Sequence, residues 1–302
     1  MTHHVVVLCG FLLLSASCSQ IGITGRQQFN LVPNSVMNSM SFQSYSEFLS
    51  QHKLSTDVQK SQMVAHVGSR IQKAVEHYCA KNGSQELLAG YQWEFNLVED
   101  ETVNAWCMPG GKVVVYTGLL PVAETETGLA VVIGHEIAHA FAKHGAERMT
   151  QGLMVEMGGM ALSTALSENT EATQNLFMQS YGMGTQVGLM LPYSRVHENE
   201  ADHLGLVFMA MAGYNPEEAV TFWQRMAASK EGQSQPLEIL STHPADATRI
   251  SHLKGFLPEA MEYYRASQAS DHSNIRPIYA YELLPASARM YWLVHGGTSR
   301  QY

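Results

Sequence analysis

Apolar residues follow several rhythms along this chain, and each rhythm predicts a different element. From about Phe42 to Cys79 they recur at helical spacing, with Val64, Val67, Ile71, Ala74, Val75 and Tyr78 on one face. Tyr91, Trp93, Phe95 and Leu97 alternate with polar residues, the signature of a half-buried strand over 91–98. Met108-Pro109-Gly110-Gly111 reads as a turn. It leads into a second strand, Val113–Tyr116, which we read as a sheet edge where an extended peptide can add as one more strand. Pro121 and Thr125 precede a predicted helix from about Glu126 to Lys143. Residues 146–190 are rich in Met and Gly and read as helices packed with adaptable methionines. Another helix is predicted at about 194–212, ended by Gly213-Tyr214-Asn215-Pro216, with Pro216 starting the next. The sum is an α+β chain, mainly helical, with a small sheet beside the 126–143 helix.

The amino-terminal end has no such periodicity. Val5 to Leu14 is apolar at nearly every position, and ten residues span only about 15 Å as a helix, half of a bilayer core. Followed by the small residues Ser15, Ala16 and Ser17, this run reads as a signal peptide over residues 1–17, although it offers His3 and His4 and no Lys or Arg ahead of the core. The stretch resembles a bacterial lipobox, in which Cys18 becomes a lipidated terminus; Leu14 sits four residues before the cysteine where three is usual. Ordinary cleavage at the same bond would release a soluble protein. Residues 18–40, rich in Ser, Asn and Gln, read as a tether. Export leaves Cys79 and Cys107, for which one disulfide and two unpaired buried thiols both remain open.

Composition narrows the function classes. The 302 residues are 45% hydrophobic, which excludes a disordered chain. Net charge is −9, with no long Lys/Arg cluster, so nucleic acid is not the expected partner.

The chemistry is concentrated in two short stretches. In His135-Glu136-Ile137-Ala138-His139, the two histidines are i and i+4 on the predicted helix, about 40° apart around its axis, so both imidazoles can share one metal ion. Glu136, one residue along, can reach a water instead of the metal. The flanks, Leu129 to Ile133 and Ala140 to Ala142, are apolar on nearly all sides, and burying such polar groups there is costly unless they are paired or coordinated. A third ligand is needed. In Glu198-Asn199-Glu200-Ala201-Asp202, Glu198 can ligate while Asp202, one turn on, holds a ligand imidazole from behind. Glu200 points away from that face and reads as a solvated charge, and His197 and His203 are poorly angled as ligands. Gly145 and His144 do not fit a third-histidine spacing after His139. Ser241-Thr242-His243-Pro244 breaks a helix and puts His243 on a loop, with Arg249 six residues later.

Taken together, the first motif, Glu198–Asp202 and Thr242-His243-Pro244 with Arg249 resemble the gluzincin metallopeptidases that include the CAAX prenyl endopeptidases and HtpX. Thr24 to Gln28, Asn104 to Gly111 and Ser194-Arg195 extend the likeness to their exported bacterial lipoprotein branch, typified by LoiP, YcaL and BepA. The resemblance implies a zincin-type metallopeptidase domain over residues 41–265 and one zinc ion held by His135, His139 and Glu198; the tail at 266–302 has no counterpart in it and is of unknown role. It implies Glu136 as general base and acid, a catalytic or site-capping His243, and a family arginine at Arg249. The implied partners are unfolded or misassembled envelope polypeptides and a membrane reached through the lipid on Cys18, in the periplasm at the outer membrane.

Overall fold

The computed structural model describes residues 18–20, 23–157, 171–181, 195–228, 238–243 and 247–274. The signal-peptide reading of 1–17, most of the 266–302 tail and much of the Met- and Gly-rich stretch lie outside these residues.

A three-stranded sheet of β3 (Glu94–Val98), β4 (Ala105–Met108) and β5 (Lys112–Tyr116) has the order β3-β5-β4. β5 is therefore the central strand, parallel to β3 and antiparallel to β4, which corrects its reading as an edge. The physical reason is visible in its side chains. Val113 and Val115 enter one core with Leu97, Ala105 and Cys107, while Val114 and Tyr116 enter the opposite core with Val98, Trp106 and Met108. A strand buried on both faces loses the apolar–polar alternation and reads as a continuous apolar run. Pro109-Gly110-Gly111 joins β4 to β5; Gly110 and Gly111 both have φ near +80°, at 76° and 81°, a conformation glycine adopts without strain.

Helices cover both faces. α1 (Asn34–Gln51) packs Met37, Met40 and Tyr45 into the core with Trp106 and Val114. α2 (Val58–Lys81), started by an Asp57 side chain that accepts from the Lys60 N–H, buries the predicted Val64–Tyr78 stripe on the other face. The single helix expected over 42–79 is thus two. Lys53–Ser55 instead runs along β3, with Ser55 N–H donating to Leu97 O and Glu99 N–H to Lys53 O, both 2.8 Å. That pairing covers part of the outer edge of β3 and leaves β4 as the sheet's other edge.

The amino-terminal segment is not free chain. β1 (Cys18–Gln20) pairs antiparallel with β2 (Gln27–Phe29), and Val32 and the first turns of α1 are packed, so the tether assigned to 18–40 overlaps ordered structure. Ser and Asn between Met37 and Met40 gave that stretch a polar composition that masked its buried face. At the other end, the 265/266 boundary falls inside α9 (Ala247–Asn274). Cys79 and Cys107 are separate buried thiols, each pushed up in pKa by burial; the disulfide is not formed. Among the described residues, no helix is long and apolar enough to cross a membrane.

What positions the site is the crossing of α3 (Glu126–Phe141) and α6 (Arg195–Met211). α3 starts where Thr125 Oγ1 accepts from the Gly128 N–H at 3.0 Å, and it is buried from Gly128 to its end. The helices meet backbone to backbone at Gly134 and Gly205. A Cβ on Gly205 would lie 3.0 Å from His135 N and 3.1 Å from His135 Cα. This contact sets residues 198–202 beside residues 135–139. Gly205→Ala is therefore expected to cost roughly 1–3 kcal/mol of stability and to weaken metal binding. Chemical denaturation and zinc titration check this, and wild-type values in both would show that the close crossing is not a constraint.

Candidate metal centre

Four side chains from three places converge inside the core: His135 and His139 from α3, Glu198 from the first turn of α6, and His243 after α8 (Glu238–Thr242). Each offers a ligand atom, and these atoms all lie within 4.8 Å of one another. His135 Nε2 is 3.0 Å from His139 Nε2 and 3.5 Å from Glu198 Oε2; His139 Nε2 is 3.2 Å from Glu198 Oε1. His243 Nδ1 lies 2.9 Å from Glu198 Oε1 and 3.1 Å from His135 Nε2. All four residues are at most 7% exposed.

The residues fit a divalent cation on two grounds. Glu198 Oε2 and Glu136 Oε1 are buried and accept no hydrogen bond, an expensive arrangement for two carboxylate oxygens. The donor set of imidazole nitrogens and one carboxylate is also the set that zinc takes. Burial holds the His139 pKa well below its ordinary value, which keeps its lone pair available. Burial would raise Glu198, but His243 and the two α3 imidazoles hold it well below the usual carboxylate range.

Behind each α3 imidazole stands a carboxylate from α6. His135 Nδ1 is 3.0 Å from Asp202 Oδ1, and Arg249 donates to both Asp202 oxygens at 2.8 and 2.6 Å. Arg249 Nη1 also lies 3.3 Å from Glu198 Oε2, and its guanidinium carbon stacks 3.3 Å above the centre of the buried Trp223 ring on α7 (Glu218–Ala228). Arg249, to which the sequence resemblance gives no more than a family identity, thus sits behind the ligands and holds Asp202 and Glu198.

His139 is backed less directly. Its Nδ1 is 2.8 Å from His144 Nδ1, and His144 Nε2 is 2.8 Å from Glu200 Oε2. Both partners correct the sequence reading, which had Glu200 solvated and gave His144 no role: Glu200 is 5% exposed and His144 fully buried. Glu200 does face away from Glu198 on α6, but that side of the helix meets α4 (His144–Met157), whose start no helical wheel of α6 contains. The available signal was a histidine five residues beyond His139 in an apolar setting. Burial would raise Glu200, but His144, Thr24 and Arg26 hold its pKa down at about 2. His197 bonds Glu147 and His203 bonds Glu259, so neither approaches the ligand cluster.

Glu136 lies beside the cluster, Oε1 3.5 Å from His243 Nε2, with its pKa raised to about 7 by burial.

Residues 65–257 match the model of Peptidase family M48. The chain is 35% identical to the mitochondrial metalloendopeptidase OMA1 of Saccharomyces cerevisiae over 62% of its own length and 54% of that protein's. It is 33% identical to the OMA1 of Schizosaccharomyces pombe over 80% of this chain and 66% of that one. It is 27% identical to a beta-barrel assembly-enhancing protease of Yersinia pestis over 60% of this chain and 36% of that one. The chain therefore spans between about a third and two thirds of the length of these relatives.

The raised pKa of Glu136 predicts a pH signature in metal-free protein. Between pH 4.5 and about 7 the folded chain holds a proton on Glu136 that the unfolded chain has lost, so folding stability falls as pH rises through that window. Glu136→Gln removes this penalty. By urea denaturation in the presence of a chelator, the variant should be more stable than wild type above pH 7, and the difference should vanish below pH 4.5; a pH-independent difference contradicts the assignment.

Proposed function

The chain belongs to peptidase family M48, and on that premise we propose that it is a zinc-dependent endopeptidase that cuts unfolded or misassembled proteins of the bacterial envelope. The observation that carries the peptidase reading is the unsatisfied Glu136 carboxylate, buried beside three ligand groups that belong to two helices. Zinc held by His135, His139 and Glu198 supplies Lewis-acid chemistry, polarising a carbonyl and making water more acidic. Glu136 takes the proton of the attacking water and returns it to the departing amine, and a pKa near neutrality suits both halves of that transfer. His243 Nε2 borders the same space and can donate to the developing oxyanion. Asp202 and Arg249 fix the ring of His135 from behind. An extended substrate would pair with β4, the sheet's other edge. Backbone pairing favours unfolded chain over a fixed sequence.

The envelope assignment rests on the sequence of residues 1–18, with a lipid on Cys18 as the anchor to the outer membrane, and is supported by the bacterial relative's printed role. The OMA1 relatives support the peptidase domain and speak for a mitochondrial compartment only in their own case. A second reading, a chaperone-like outer-membrane assembly lipoprotein with latent protease activity, is favoured by one observation. His243 Nδ1 stands close enough to Glu198 and His135 to act as a fourth ligand and close the site.

One experiment tests the mechanism and another the anchor. Glu136→Gln should bind zinc as wild type does and lose at least about 100-fold in casein hydrolysis; undiminished cleavage contradicts the mechanism. In a bacterial host the wild-type chain should incorporate labelled palmitate and fractionate with the outer membrane, whereas Cys18→Ser should be unlabelled. An unlabelled wild type would refute the anchor.

A further inference from the structure

The His144–Glu200 pair continues to a third residue far away in sequence. Arg26, 174 residues from Glu200, donates from Nε to Glu200 Oε2 at 2.5 Å. Its Nη1 bonds both oxygens of Glu147, at 3.1 and 2.9 Å, and the Thr24 hydroxyl donates to Glu200 Oε1. Glu147 in turn bonds His197, whose ring stacks on His144 with centroids 4.4 Å apart.

One arrangement of protons satisfies this chain of contacts. If His139 Nε2 presents its lone pair to a cation, its Nδ1–H must donate, and His144 Nδ1 is the acceptor within reach. His144 then carries its proton on Nε2 and donates to Glu200 Oε2. Glu200 holds that rotamer because Arg26 and Thr24 grip it from the far side. The parallel with His135 is close: there too an imidazole is backed by an α6 carboxylate that an arginine holds, with Asp202 and Arg249 in those parts. The difference is that Arg249 lies within the peptidase core, whereas Arg26 is carried by the segment between β1 and α1.

We propose that Arg26 is a positioning residue of the metal centre, acting through Glu200 and His144 on the ring of His139, so that the segment ahead of α1 is part of the active site. The proposal rests on His135, His139 and Glu198 being zinc ligands. Without Arg26, Glu200 loses the group that fixes its carboxylate, and His144 no longer has a fixed acceptor to set its tautomer and orientation. Second partners of this kind typically govern metal affinity by about 10–100-fold.

Arg26 also ties its own segment to Glu147, so a purely structural role must be separated from the positioning role. The test measures zinc affinity by competition with a chromophoric chelator and records the visible spectrum of the cobalt-substituted protein, using wild type, Arg26→Ala, Glu200→Gln and Glu147→Gln. Arg26→Ala and Glu200→Gln are expected to bind zinc about 10–100-fold more weakly and to shift the cobalt bands. Glu147→Gln, which breaks the other arm of the same arginine, should keep both near wild type. Should Arg26→Ala fail to fold, Glu200→Gln carries the comparison with Glu147→Gln. Equal effects of Glu200→Gln and Glu147→Gln, or wild-type affinity and spectrum in both Arg26→Ala and Glu200→Gln, would overturn the proposal. A wild-type chain that binds no zinc would instead overturn the ligand assignment beneath it.

Discussion

The structure is organised around the cost of enclosing two imidazoles and two carboxylates in an apolar core. Glu136 and Glu198 are each less than a tenth exposed, and each has a buried oxygen that accepts no hydrogen bond. Buried carboxylate oxygens left without a hydrogen bond are costly. A divalent cation among His135, His139 and Glu198 relieves most of this cost, and much of the surrounding fold is arranged to hold those three groups in register. The glycine-to-glycine crossing of α3 and α6 brings the helices close enough for Glu198 to meet the paired imidazoles. Trp223 and Arg249 close the centre from one side, and His144, Glu200 and Arg26 from another.

The alternation of carboxylates along α6 gives this centre its order. Glu198 and Asp202, one turn apart, share a helical face, whereas Glu200 between them faces the other way. The helix is buried on almost all sides in this region: Glu198 and Asp202 both meet the ligand cluster, Asp202 through the back of the His135 ring, and Glu200 meets His144. A helix with acids on several faces would be hard to bury alone. Here each acid is matched by an imidazole and by an arginine, Arg249 for those at 198 and 202 and Arg26 for that at 200.

Much of this was legible in the sequence because local spacing carried it. The stripe from Val64 to Tyr78, the strand ending at Val98, the helix from Glu126 and the pairing of Glu198 with Asp202 all follow from periodicities of two or of three to four residues. What was missed depends on long-range contact. β5 reads as an edge because nothing within Val113–Tyr116 tells which strands lie beside it, although its unbroken apolar run is the mark of burial on both faces. Glu200 looked solvated because a helical wheel knows only its own helix and not α4 packed against it. The ordered segment before α1 was hidden by polar composition, since Thr24 and Arg26 are held by hydrogen bonds to buried acids instead of by apolar burial.

The central claim is that His135, His139 and Glu198 bind one zinc ion in an all nitrogen and oxygen environment. X-ray absorption at the zinc edge on the purified full-length chain tests it most directly. The account predicts about one zinc per chain, imidazole scattering in the first shell and no sulfur, with the imidazole contribution reduced in His139→Ala. A chain purified without zinc, or one whose zinc is coordinated by sulfur, would contradict it.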